Sequence, residues 1–125
     1  MSPPPWPLCA AVLLASNGPP AEVPAPGSER LTALRDAARD ALQPSCGRCH
    51  DRAQSTARPA ALRVFDLQEP NWSARVTDVQ MDHMVERFEG FKMPQADRVT
   101  VQKFLDSERA RRASTAATAP AEPGR

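Results

Sequence analysis

Proline placement confines any folded domain in this chain to its middle. Of the 14 prolines in 125 residues, eight lie within residues 1–27 and two after Arg112, leaving Pro44, Pro59, Pro70 and Pro94 in between. Each proline removes a backbone donor and fixes φ, so NGPPAEVPAPG at 17–27 reads as an extended linker. The tail ASTAATAPAEPGR, residues 113–125, has no large apolar side chain and is expected to be disordered. The sequence therefore predicts one domain over residues 28–112, preceded at 1–27 by a signal-like segment and the proline-rich linker.

The apolar run Leu8–Ala15, followed by small residues, resembles the core of a secretory signal. It is far shorter than the roughly 20 residues that cross a bilayer as a helix. The basic residues that normally precede such a core are missing, since the first basic residue is Arg30. Cys9 lies inside the run rather than after it, which argues against lipid attachment. The expectation is an exported or periplasmic protein without a transmembrane span. A formal net charge of +1 argues against a dedicated nucleic-acid binder.

Within residues 28–112 the pattern is all-α, with three main helices. Ser28 is placed to cap a first helix over Glu29–Gln43, whose Leu31, Leu34, Ala38 and Leu42 keep helical spacing; Pro44 is expected to end it. Thr77-Asp78-Val79-Gln80 has the form of a capping box, and Met81, Met84, Val85 and Phe88 follow at i, i+3, i+4 and i+7. Gly90 is expected to end this second helix. Asp97 is placed to cap a third, in which Val101, Phe104 and Leu105 share a face and Arg109, Arg111 and Arg112 suit the carboxyl end. A short run, Leu62–Leu67, is ambiguous between helix and strand.

Only 20 large apolar side chains serve these 85 residues, a thin core for a stretch that includes a long irregular segment from Asp51 to Ser73. A cofactor or cross-link is expected to complete the interior. If Cys9 leaves with a signal, Cys46 and Cys49 remain, in Cys46-Gly47-Arg48-Cys49-His50. This is the c-type haem attachment motif: each thiol adds to one vinyl group of a haem, and the following histidine is the proximal iron ligand. A Cys46–Cys49 disulfide would close a very short loop and stabilise little. A zinc site would need four ligands from two cysteines and two histidines, with Cys49 and His50 adjacent and hard to aim at one ion.

Met81, His83, Met84 and Met93 are the candidates for the sixth iron position, which separates an electron carrier from a haem open to ligands. At about 100° per residue His83 projects almost opposite the stripe of Met81, Met84, Val85 and Phe88, and core packing accounts for the two methionines of that stripe. Met93 stands instead in a loop, before Pro94, which restricts its backbone to extended values.

An amphipathic helix leading into CxxCH, a Met-Pro loop 43 residues after His50, and a closing helix with paired apolar residues together resemble the small bacterial class I cytochromes c. The resemblance covers about Ser28–Glu108. It implies an all-α fold around one covalent haem c, Cys46 and Cys49 as attachment points, His50 and Met93 as iron ligands, and crossed first and last helices, with Ala37 or Ala38 against Phe104 and Leu105. It also implies a backbone carbonyl, at Pro59 or Pro70 with Pro59 preferred, accepting the other imidazole N–H. A haem propionate would meet Trp72, Arg63 or Arg75. Phe65, Phe88, Phe91, Met81 and Met84 would form the apolar shell.

The function expected from this resemblance is one-electron transfer between a redox protein donor and acceptor by a monomeric carrier that is not itself an enzyme. The alternative is a haem-based gas sensor or peroxidase-like protein with an open or bis-histidine iron site. Export predicts that intact mass of the protein from its native host shows cleavage between Ala15 and Gly27; a mature chain retaining Met1 would contradict it.

Overall fold

The computed structural model describes residues 1–2, 18 and 26–121. The signal-like run Leu8–Ala15, Cys9, most of the linker and residues 122–125 lie outside the described residues. Four helices follow one another: α1 (Pro26–His50), α2 (Pro59–Val64), α3 (Asp78–Gly90) and α4 (Gln95–Thr118). No strand occurs among the described residues, so the all-α class stands. No described helix is long and apolar enough to cross a membrane.

Several expected boundaries move. α1 starts at Pro26, so Ser28 lies inside the first turn rather than at the cap, consistent with the preference for proline at the start of a helix. Pro44 does not end α1, which continues to His50 with Pro44 inside it. The proline is exposed on the helix surface, where the loss of one donor does not strand a group in the core. α4 begins directly after Pro94, putting Asp97 in its first turn instead of at its cap. α4 also runs through the first residues of the expected disordered tail, to Thr118, because Ala113, Ala116 and Ala117 are strong helix formers. The predicted capping box does form: Thr77 accepts from the Gln80 amide at 3.2 Å, and the Gln80 side chain accepts from the Thr77 amide at 2.9 Å.

α1 packs chiefly against α4. Ala38, Ala41 and Leu42 share one buried cluster with Val101, Phe104 and Leu105, while Ala37 is exposed. Small residues on α1 let bulky ones on α4 approach, as the helix-crossing expectation requires. The Leu62–Leu67 ambiguity resolves into two parts: Leu62–Val64 belong to α2, and Phe65–Leu67 leave it as a buried irregular segment. Trp72 is fully buried, 5.6 Å from the Phe65 ring and 5.3 Å from Phe104, with tilted planes that suit aromatic quadrupoles.

Because α4 continues past Arg112, its arginines act sideways instead of capping its end. Glu108 is 2% exposed and accepts from Arg111 at 2.8 and 3.0 Å and from Arg112 at 3.0 Å. Arg112 also donates to the carbonyls of Ser73 and Val76, tying α4 to the segment before α3. Burial by itself would raise the Glu108 carboxyl, but the arginine hydrogen bonds outweigh it and hold the group below its ordinary value. The stabilisation is therefore complete above the unfolded carboxyl's value, ~4.3, and fades as pH falls through the folded one. Urea unfolding at pH 7 should show Glu108→Gln less stable by about 1–2 kcal/mol, the half-exposed Arg111 limiting the effect. At pH 3 the gap from the unsubstituted protein should narrow.

Candidate functional site

The last turn of α1 carries Cys46, Cys49 and His50, and its position depends on how the helix ends. The final carbonyls of a helix lack intrahelical partners. Here the following segment supplies them. The Thr56 hydroxyl donates to Arg48 O at 2.6 Å, the Arg58 amide to Cys49 O at 3.1 Å and the Leu67 amide to His50 O at 2.7 Å. Asp51, buried just past the helix, accepts from the Ala53 amide at 2.8 Å and from the Gln43 side chain. Gln43 reaches it by lying across Gly47, where an added Cβ would come within 2.7 Å of the Gln43 amide nitrogen. A second carboxylate, Asp66, accepts from the Gln68 amide at 3.0 Å and pairs with Arg52 at 3.5 Å.

These contacts hold the motif at the edge of a cleft of about 990 Å³, near the upper end of small-ligand sites. Cys46, Cys49 and His50 all line it. Both cysteines are free thiols and partly buried, with no disulfide between them. Apolar walls come from Ala61, Val64 and Phe65 on one side and from Val76, Met84, Phe88 and Phe91 around α3. Of the five side chains expected to form an apolar shell, Phe65, Met84, Phe88 and Phe91 line the cleft. Met81 is fully buried in the core behind it.

His50 is fixed from two directions. Its ring stacks on Phe65 at 3.7 Å with planes 2° apart, and its Nδ1 lies 3.1 Å from the Phe65 carbonyl oxygen. The accepting carbonyl is thus that of Phe65. Neither Pro59 nor Pro70 serves: Pro59 opens α2, and the Pro70 carbonyl receives Arg39 at 2.9 Å. A carbonyl can only accept, so Nδ1 carries the proton and Nε2 is left with its lone pair. Burial holds the imidazole below its ordinary value against the opposing pull of the Phe65 and Ala61 carbonyls, which favours the neutral ring a metal needs.

Charge in the cleft has one sign. Arg48, Arg58 and Arg87 line it, and none of its lining residues is an aspartate or glutamate. The arginines expected to meet a propionate are elsewhere: Arg75 pairs with Glu69 at 3.1 Å, and Arg63 is exposed and outside the cleft. Trp72 does not line the cleft, and its indole N–H donates to Arg35 O at 3.3 Å inside the core. Of the three cleft arginines, the sequence placed Arg48 within the motif itself. Arg58 and Arg87 join it only through folding.

Of the sixth-position candidates, His83 and Met84 line the cleft and Met93 does not. Met93 is 2% exposed and belongs to the hydrophobic core. Among the described residues, no three His, Cys, Asp or Glu side chains converge as a metal cluster. No protein-family model matches the chain, and neither a curated protein nor a solved structure is similar enough to match it.

The arrangement suits a large, flat, mostly apolar ligand carrying two or more negative charges. The walls are largely apolar, three arginines offer donors to anionic groups, and a neutral imidazole stands beside two thiols. Burial pushes the Cys46 thiol up to about 11, with Arg87 opposing. In protein produced without a haem attachment system, Cys46 alkylation by iodoacetamide should therefore keep accelerating up to about pH 11. Peptide mass spectrometry against pH measures this, and a plateau near pH 9 would contradict the buried environment.

Proposed function

We propose that the chain is an exported monohaem c-type cytochrome that carries single electrons between a donor and an acceptor redox protein. One observation carries the reading: the two thiols and the imidazole of CxxCH border a single apolar cleft whose only charged lining is basic. A haem matches this lining, having an apolar ring, two anionic propionates and two vinyl groups. When bound, it would supply a one-electron iron couple.

The residues have separate roles. The Cys46 and Cys49 thiols would hold the haem, each adding across one vinyl group with sulfur on the carbon next to the ring and the thiol proton on the terminal carbon. His50 would offer Nε2 to the iron, oriented by its Phe65 stack and carbonyl. Arg48, Arg58 and Arg87 would neutralise the propionates in a partly desolvated site, where charge-assisted hydrogen bonds are strongest. Val64, Phe65 and Phe88 would keep water from the iron, and an apolar surrounding of this kind would favour the ferrous state. The chain works as a carrier rather than as an enzyme, and as a monomer.

A second reading, a gas sensor or peroxidase-like protein with an open or bis-histidine iron site, gains from the placement of His83 at the cleft and of Met93 away from it. Carbon monoxide binding to the reduced protein separates the two.

Expression with a haem c maturation system should yield coloured protein whose haem resists acid-acetone extraction and gives a c-type pyridine haemochrome. Cys46→Ala with Cys49→Ala should abolish covalent attachment. Colourless protein, or haem that extracts freely, would overturn the proposal.

A further inference from the structure

We infer that Met84 of α3, and not Met93 of the Met-Pro loop, is the sixth iron ligand; the inference rests on the haem reading above. The cleft is bordered on one side by the end of α1, which bears His50, and on another by a single face of α3. At about 100° per residue, the α3 positions Gln80, His83, Met84, Arg87 and Phe88 centre roughly 90° around the helix from Met81, the residue at the middle of the core. Gln80, Met84 and Arg87 fall within about 30° of that centre, whereas His83 and Phe88 lie about 70° away on opposite edges.

The chemistry of these residues selects one of them. Arg87 has no lone pair to offer, and the Gln80 amide is a hard, weak donor whose side chain is committed to the Thr77 amide. Phe88 has no donor. His83 is an exposed residue on the solvent edge. Met84 is 7% exposed and lines the cleft, and its thioether is a soft donor suited to iron in an apolar setting.

Met93 is held away by its own loop. The turn after α3 passes through Lys92 in the left-handed region, φ 51°, and closes with the Met93 amide donating to Phe88 O at 3.0 Å. Arg98 Nε donates to Met93 O at 2.8 Å and fixes the other side of the residue. With both backbone groups engaged and the side chain packed in the core, reaching the cleft would require unwinding the turn and emptying a core position.

The test uses the holoprotein with near-isosteric substitutions, which preserve packing volume. The oxidised unsubstituted protein should show the weak sulfur-to-iron charge-transfer band. Met84→Leu should lose that band entirely and let the reduced protein bind carbon monoxide, while Met93→Leu and His83→Gln should keep the band and exclude the gas. Should Met84→Leu fail to fold, methyl-labelled methionine in the reduced unsubstituted protein decides the matter. The one methyl resonance shifted far upfield by the porphyrin ring current should connect to the Met84 spin system and persist in Met93→Leu. Loss of band or shifted methyl with Met93→Leu, dependence on His83, or absence of the band from the unsubstituted holoprotein would each overturn the assignment while leaving haem attachment intact. Failure of the haem reading is distinct, since then no covalent haem spectrum forms in any of these proteins.

Discussion

The end of α1 is the constraint on which the site depends. A helix that stops at His50 leaves carbonyls without partners just where two thiols and an imidazole must be held in register. Thr56, Arg58 and Leu67 donate to three consecutive carbonyls, Arg48 to His50, so the irregular segment after the motif is a clamp on it. Asp51 and Asp66, both buried, pin that segment in turn through backbone amides. Hydrogen bonding outweighs the cost of burying Asp51 and holds its carboxyl below the ordinary value, so the charge is retained where it orders the loop.

Aromatic packing carries this rigidity into the core. His50 stacks on Phe65, Phe65 meets Trp72, and Trp72 meets Phe104 of α4. The same Phe65 supplies the carbonyl that orients the imidazole, so one residue sets both the plane and the tautomer of His50. Trp72 joins α1 to this stack through the Arg35 carbonyl. The histidine beside the cleft is thereby coupled to the α1–α4 packing, without a long side chain bridging the distance.

α3 illustrates why a hydrophobic stripe is an incomplete map of a helix. Met81, Met84, Val85 and Phe88 mark the side facing the core, and His83 is indeed far from their centre. Yet α3 meets three environments: core, cleft and solvent. The cleft face lies between the other two, sharing Phe88 with the stripe and taking Met84 from its margin and His83 from the margin of the solvent side. Periodicity measures the direction of greatest burial, and a cleft shaped for a bulky ligand has no such direction of its own.

The helical class, the Thr77–Gln80 capping box, the α1–α4 apolar faces and the Cys46-Cys49-His50 group were legible in the sequence because each depends on neighbours within one or two turns, or on residue types that few other chemistries use. Pro44 misled as a boundary, since an exposed proline in a helix long enough to carry it costs less than abandoning the packed turns on either side. Sequence by itself determined that this chain is helical and that Cys46, Cys49 and His50 stand together in CxxCH. Tertiary structure alone decided that Phe65 orients His50, that Arg48, Arg58 and Arg87 surround the cleft, and that Met84 borders it while Met93 fills the core. Those relations join residues on separate elements, and only the packing of α1, α3 and the loop between them fixes which side chains meet.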